Sequence, residues 1–251
     1  MNTGTQFHIG LSKEDTARYA ILPGDPGRVS EIAGYLDTPV FTAQNREFTS
    51  YTGRLLEEKV LVTSTGIGGP SAAIALEELS HIGVDTIIRV GTCGGMQKKV
   101  NAGDLILPTA AVRMEGTSRE YMPVEYPAAA DFSILSALTQ AARQNGFHYH
   151  TGVIQSKDSF YGQHSPDSMP VCEMLKNNWQ AWLKAGVLAS EMECAALFTV
   201  AAVRGIRAGA VLTALWNQEK GEAGGAQVPS SGNAIRTAID ALSLLIEKDR
   251  E

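Results

Sequence analysis

The stretch 60-VLVTSTGIGGPSAAIALEELSHIGVDTIIRVG-91 decides the fold class. It opens on an apolar run, Val60–Ser64, turns at Gly66, Gly68 and Gly69, and continues as a helical pattern over Pro70–Ile82. Proline suits that first helical position because its missing N–H would have had no partner there. A second apolar run, Thr86–Gly91, closes the unit. Strand, helix and strand in this order predict a parallel pair joined by a crossover helix.

The same alternation extends outward. Strands are expected over Tyr19–Leu22, Tyr51–Leu55, Asp104–Pro108, Gly152–Ser156 and Ala208–Leu215. Helices are expected over Gly27–Tyr35, Phe132–Asn145, Val171–Ala185, Ser190–Arg204 and Asn233–Glu247. The last carries Ile235, Ile239, Leu242 and Ile246 at helical spacing, an apolar stripe for one face. The pattern is that of an α/β chain, a three-layer αβα sandwich with a mixed, largely parallel central sheet. No Pro/Ser-rich linker and no internal repeat divides residues 1–251, so they read as a single domain. Two polar segments, Gly162–Pro170 and Asn217–Asn233, each follow a strand pattern and are placed to cover a ligand beyond the strand ends.

Composition narrows the function. The 251 residues carry a formal charge of -6, so no global basic field attracts nucleic acid or an anionic membrane. Cys93, Cys172 and Cys194 form no CxxC and have no ligand-like spacing to the histidines, which argues against a disulfide framework and a structural zinc. The first residues, MNTGTQFHIG, lack the apolar core of a secretory signal, and Ala195–Val203 is too short to span a bilayer. A reducing, cytoplasmic setting is the expectation.

Three glycine-rich turns, 22-LPGDPGR-28, 64-STGIGGPSA-72 and 89-RVGTCGG-95, each follow a strand and could bring backbone N–H groups against a phosphate. None is a P-loop, and Ser71 stands where a dinucleotide fingerprint needs its third glycine. Arg89 interrupts an apolar strand just before one of these turns. It is either half of a buried Arg–Glu pair or a guanidinium aimed at an oxyanion, with Arg28 as a second. In 189-ASEMECAALFTVAAVRG-205 two glutamates, Glu191 and Glu193, head an otherwise apolar helical pattern. Ser190 and Glu193 fit an S-x-x-E capping box; otherwise one carboxylate is paired or has a chemical task. His81 reads as a surface residue. His148 and His150 alternate along a strand pattern and could pass for metal ligands, but no carboxylate or cysteine accompanies them in the sequence.

The segments FHIGL (7–11), PGDPGR (23–28), REF (46–48), STGIGGPSAAIALEEL (64–79), IRVGT (88–92), RMEG (113–116), SFYGQ (159–163) and EMEC (191–194) stand in a telling order. In that order and spacing the chain resembles the uridine phosphorylases of the nucleoside phosphorylase-I family, over nearly its whole length. The resemblance implies reversible phosphorolysis of uridine, and of deoxyuridine as a further substrate, to uracil and the sugar 1-phosphate. No organic cofactor is implied, and phosphate is the co-substrate. Phosphate would be held by Gly24, Arg28, Arg89 and Thr92, with Arg46 reaching in from a neighbouring subunit. Met192 and Glu193 would contact ribose, and a neighbour's His8 would close over it. Phe160 would pack on the base and Gln163 would read its edge. Arg89, Glu193 and Gln163 would form the catalytic set, with Glu191 orienting Arg89 or playing a purely structural part. A hexamer built as a trimer of dimers is implied, with potassium at the dimer interface on Glu47, Ile67 and Ser71; a Glu47–Arg salt bridge is the alternative there.

The chain departs from the family pattern in the base site. Two arginines expected two residues after the glutamine and after the late-strand asparagine are replaced by Ser165 and Gln218. The departing base still needs a donor, and Lys157 is the nearest candidate in sequence, with His164 second; Lys157 could equally be a solvated charge at a strand end. The competing readings are a purine nucleoside phosphorylase and a non-catalytic nucleoside-binding module. The segment 212-LTALWNQEK-220 offers no aspartate to protonate a purine.

Overall fold

The computed structural model describes residues 4–221 and 230–251. Its strands are β1 (Tyr19–Pro23), β2 (Asp37–Asn45), β3 (Phe48–Leu55), β4 (Glu58–Thr63), β5 (Thr86–Gly95), β6 (Leu105–Met114), β7 (Ala128–Ala129), β8 (Tyr149–Lys157), β9 (Ala189–Glu191) and β10 (Arg207–Asn217). The helices are α1 (Gly27–Ala33), α2 (Gly69–His81), α3 (Thr117–Tyr121), α4 (Phe132–Gln144), α5 (Phe160–His164), α6 (Cys172–Lys184), α7 (Cys194–Arg204) and α8 (Gly232–Asp249). Part of the expected covering segment, 222–229, lies outside the described residues.

Residue alternation along the central strands sorts the core into two. In β1, Ala20 and Leu22 join the apolar faces of α2 and α7, whereas Tyr19 and Ile21 join those of α1, α4 and α8. A strand buried on both sides must be apolar at every position, which is why β1 and β5 read as continuous runs rather than alternating ones. Helices therefore cover both faces of one mixed sheet, as expected.

The central run β4, β1, β5, β10 is parallel. Antiparallel β3 and β2 extend it on one side and β6 joins β10 on the other. β5 is the seam. Through Val90 one of its edges pairs with β1, but at Gly94 and Gly95 that partner has become β9, while β10 follows the opposite edge throughout. Since β9 pairs β8, and β8 pairs β6, the strands β5, β10, β6, β8 and β9 close into a ring. The sheet opens around the far end of β5, and a cavity lies there.

Local chemistry accounts for the element ends. The Asp131 carboxylate accepts the N–H groups of Ser133 (2.9 Å) and Ile134 (3.1 Å) to start α4. Gly205, at φ 69°, ends α7 in the left-handed conformation that costs other residues Cβ strain. The sequence pattern missed β2, an exposed edge strand carrying Pro39, whose polar composition gives no alternating signal.

One helix start is corrected. α7 begins at Cys194, and Ala189–Glu191 is instead β9, so Ser190 is no helix cap. Ser190 is held by strand pairing to Gly94 on one side and Gln155 on the other. Glu191 does the capping, its carboxylate accepting the N–H groups of Glu193 (2.9 Å) and Cys194 (3.0 Å). An anionic acceptor at this end also suits the helix dipole.

Candidate active site

Beyond the carboxyl ends of β1, β5, β8 and β10 lies a cavity of about 800 Å³. This is where open α/β sheets place ligands, because strand-to-helix turns diverge there and expose backbone N–H groups. Two sets of side chains line it.

The first is polar. Gly24, Arg28, Gly66, Arg89, Gly91, Thr92, Met192 and Glu193 all reach the cavity wall. Arg89 is buried; its Nη2 donates to Glu193, and its Nε lies 3.7 Å from Glu191 Oε2. The Glu193 carboxylate also accepts the Gly68 N–H at 2.7 Å, which ties it to the start of α2. The buried Arg–Glu pair is thus real, and it forms the wall of the cavity rather than a closed core. Nε and Nη1 of Arg89 are buried with no hydrogen-bond partner. Arginine has five donors and stays charged, so an unpaired edge disfavours burial unless an anion supplies acceptors. Burial pushes the Glu193 carboxyl up, with Arg89 opposing and Glu191 reinforcing the shift.

Gly91 is required by this arrangement. A Cβ there would come 2.8 Å from the Leu212 side chain and 3.3 Å from Arg89 Nε, where the guanidinium lies across the strand. Gly66 is constrained twice: its φ is 68°, and a Cβ would meet Glu47 Cγ at 2.7 Å.

The second set is aromatic. Phe160, His164 and Trp216 form one cluster, with ring centroids 4.3 Å apart for Phe160–His164 and 5.2 Å for His164–Trp216. Lys157 and Ser190 line the wall with them. Lys157 is buried rather than solvated, and burial lowers its ammonium to about 8, Glu191 and Glu193 pulling it partly back. Burial and the nearby Lys157 together lower the His164 imidazole, so it is neutral at pH 7. Of the two base-site candidates only Lys157 brings charge.

Gln163 does not line this cavity. It lies in an adjoining one of about 470 Å³ that shares Lys157 as a wall. There its amide accepts from Ser190 Oγ at 2.7 Å and donates to Gln218 at 3.1 Å. Gln218, standing where the family pattern has an arginine, accepts from the glutamine and lines the same adjoining cavity. His8 and Arg46 also lie off the cavity. His8 is bound through its N–H (2.9 Å) and Nδ1 (2.7 Å) to Glu78 of α2, and Arg46 is exposed at the β2–β3 turn with φ 52°. The Asn45 amide donates to the His8 carbonyl at 2.8 Å, so the two candidates sit on one surface. Beside them Glu47 and Ile67 line the cavity, and Ser71 Oγ donates to Glu47 Oε1 at 2.7 Å. That bond, with the Glu47 N–H, outweighs slight burial and holds the Glu47 carboxyl below its usual range.

Sequence reasoning missed Ser190 as a lining residue because its spacing to Glu193 imitated a cap. Asp25 and Cys93 also line the cavity, and only their neighbourhood to glycine turns could have signalled it. The RMEG segment is structural. Arg113 donates to Ser118 Oγ and to the carbonyls of Ser118, Met122, Pro123 and Tyr126, fixing the stretch after β6.

Comparison with known proteins agrees with this geometry. The family model described as "Phosphorylase superfamily" matches residues 18–248. A uridine phosphorylase of Treponema pallidum (strain Nichols) is 50% identical over 99% of this chain and 97% of its own. A uridine phosphorylase of Klebsiella aerogenes is 42% identical over 100% of this chain and 99% of its own. A guanosine phosphorylase of Halorubrum lacusprofundi is 39% identical over 96% and 99%. With a match across nearly its full length and the cavity placed at the ends of the parallel strands, this chain belongs to the phosphorylase superfamily.

Proposed function

We infer that the chain catalyses reversible phosphorolysis of uridine to uracil and ribose 1-phosphate. The observation that carries this is the buried Arg89–Glu193 pair in one cavity wall, with an aromatic cluster and a buried lysine in the other. Phosphate sits on Arg28, Arg89, Thr92 and the bare backbone at Gly24. Ribose lies over Met192, its hydroxyls donating to Glu193. Uracil packs on Phe160. A phosphate oxygen bonds to C1′ as the C1′–N1 bond breaks, and the electron pair leaves on uracil. Positive charge builds on the sugar in the transition state, as in other glycosyl transfers, and the phosphate and Glu193 stabilise it. Negative charge on the departing uracil is met by Lys157, one bond from Ser190 and through it from Gln163. Gln163 reads the base edge through this chain or after a rotamer change. Deoxyuridine, which lacks one ribose hydroxyl, is a second substrate.

His8 and Arg46, displaced from their own cavity and adjacent to each other, complete the site of a neighbouring subunit, which makes the enzyme an obligate oligomer, a hexamer of three dimers. The Glu47 carboxylate, Ser71 hydroxyl and Ile67 carbonyl form a hard-oxygen set that fits an alkali cation such as potassium. Its charge would help to fix the cavity rim. Three free cysteines suit a cytoplasmic setting.

The guanosine phosphorylase among the relatives keeps a purine substrate in view. Against it, Asn217 is fully buried and its amide donates to the Gln97 and Val100 carbonyls, both at 2.8 Å, so it is not free to serve a purine. Incubation with uridine, with and without phosphate, decides the matter. Phosphate-dependent loss of uridine absorbance is expected, with guanosine and inosine turned over far more slowly; release that ignores phosphate, or preference for a purine nucleoside, refutes the reading.

A further inference from the structure

Asp104, His148 and His150 meet on the rim of the closed ring of strands. His148 Nδ1 lies 3.0 Å from Asp104 Oδ1, and His150 Nε2 lies 2.9 Å from Asp104 Oδ2. One ligand atom from each falls within 4.8 Å of the others, the sole such trio of His, Cys, Asp or Glu among the described residues. This corrects the expectation that no carboxylate accompanies the two histidines. The register explains the meeting: Leu105 pairs with Tyr149, so Asp104, the residue just before β6, faces the histidines flanking Tyr149. Two histidines separated by one residue in an extended strand point to the same side. None of the three lines either cavity.

We propose that Asp104, His148 and His150 form a binding site for a late first-row divalent cation of the zinc type. Two imidazoles and a carboxylate match that class and leave a fourth position for water. The site is half preformed and half open. The side chains of Asp104 and His150 are 10% and 11% exposed, whereas that of His148 is 68% exposed, so a hydrated ion can reach it. Burial raises the Asp104 carboxyl, but the Asn101 N–H at 2.8 Å and the two imidazoles outweigh this and keep it ionised. Lys220 donates to Asn101 Oδ1, and the salt-bridge partners of Asp104 among the described residues are the two histidines. On binding, each N–H···O bond to Asp104 is replaced by nitrogen–metal and oxygen–metal bonds. Each ring then carries its proton on the other nitrogen, and no net redox step is involved. The ion would clamp β8 to the start of β6, outside the reaction site.

The test uses the full-length, tag-free protein, titrated with zinc chloride by calorimetry and with cobalt(II) by visible absorption. The wild type should bind one equivalent per chain, show tetrahedral cobalt bands and melt at a higher temperature with zinc. His148→Ala, which alters an exposed side chain and keeps the Asp104–His150 contact, should weaken binding roughly tenfold or more, since even outer partners of a metal ligand are worth 10- to 100-fold. Phosphorolysis of whichever nucleoside proves the best substrate should be unchanged in this variant. A wild type that binds no zinc in the micromolar range, or a His148→Ala protein that binds it equally well, overturns the proposal and leaves a hydrogen-bonded clasp.

Discussion

Lys157 Nζ donates to Ser190 Oγ at 2.8 Å, joining the end of β8 to β9 beside the aromatic wall of the cavity. Ser190 in turn donates to Gln163, so one lysine, one serine and one glutamine form a relay between the two cavities. If this lysine stabilises departing uracil, Lys157→Met lowers kcat for uridine by roughly 10- to 1000-fold and leaves the KM for phosphate nearly unchanged. The ammonium loses its proton near pH 8 in the folded protein, so wild-type kcat should fall as pH rises through that value, and the variant should lack that limb. The folded state binds fewer protons here than the unfolded one between about 8 and 10.5, so wild-type stability gains across that window while the variant's does not. Normal turnover by Lys157→Met would remove the lysine from the mechanism.

Arg89 pairs with Glu193 and, in the proposed mechanism, also holds phosphate, and the two roles can be separated. Arg89→Ala should lose at least about a hundredfold in kcat/KM, roughly 3 kcal/mol. It should also melt at a lower temperature, because Glu193 is left buried without its partner. The double variant Arg89→Met, Glu193→Gln should recover much of the melting temperature and none of the activity. Recovery of activity with stability would reduce Arg89 to a structural ion pair.

Shared sites predict complementation. Arg46→Ala and Glu193→Ala subunits, each inactive alone, should regain activity when mixed, unfolded and reassembled, since some sites then carry neither lesion. Verified mixed oligomers that stay inactive would show that Arg46 serves no neighbouring cavity.

The Glu47–Ser71 pair gives an ion-specific expectation. Melting temperature should rise in potassium over choline chloride at equal ionic strength, and Glu47→Gln should abolish the difference. Identical melting in potassium, sodium and choline would discard the cation and leave a hydrogen bond.

Arg113 should matter for stability alone. It donates to five acceptors in the stretch Ser118–Tyr126, and Lys cannot reproduce a planar fork. Arg113→Lys should cost roughly 2–4 kcal/mol in denaturant unfolding, as for other broken buried networks. An unchanged unfolding midpoint would show that the carbonyls find other donors.

Most of the fold was written in local pattern. Apolar runs, Pro70 after two glycines and the Ile235–Ile246 stripe each specify an element from neighbouring residues alone, and these elements appear close to where they were expected. Glycine turns after β1 and β4 likewise mark the cavity, because a turn that must expose N–H groups or take positive φ shows itself as glycine. The third glycine run, expected as a turn, is instead strand, since β5 continues through Gly95 by pairing with β9 and β10.

What tertiary structure decided were choices between partners distant in the chain. Ser190 could cap a helix by its spacing, yet pairing with Gly94 and Gln155 made it a strand residue and passed the cap to Glu191. Lys157 could be a base-site donor or a solvated charge by sequence alone; burial and its bond to Ser190 of β9 exclude the solvated charge. Asp104 and the two histidines share no local pattern; strand register alone brings them together. Sequence determines which groups are available and how each turn bends. Which carboxylate meets which cation depends on register and packing across the sheet, and those contacts span 104 residues between Arg89 and Glu193.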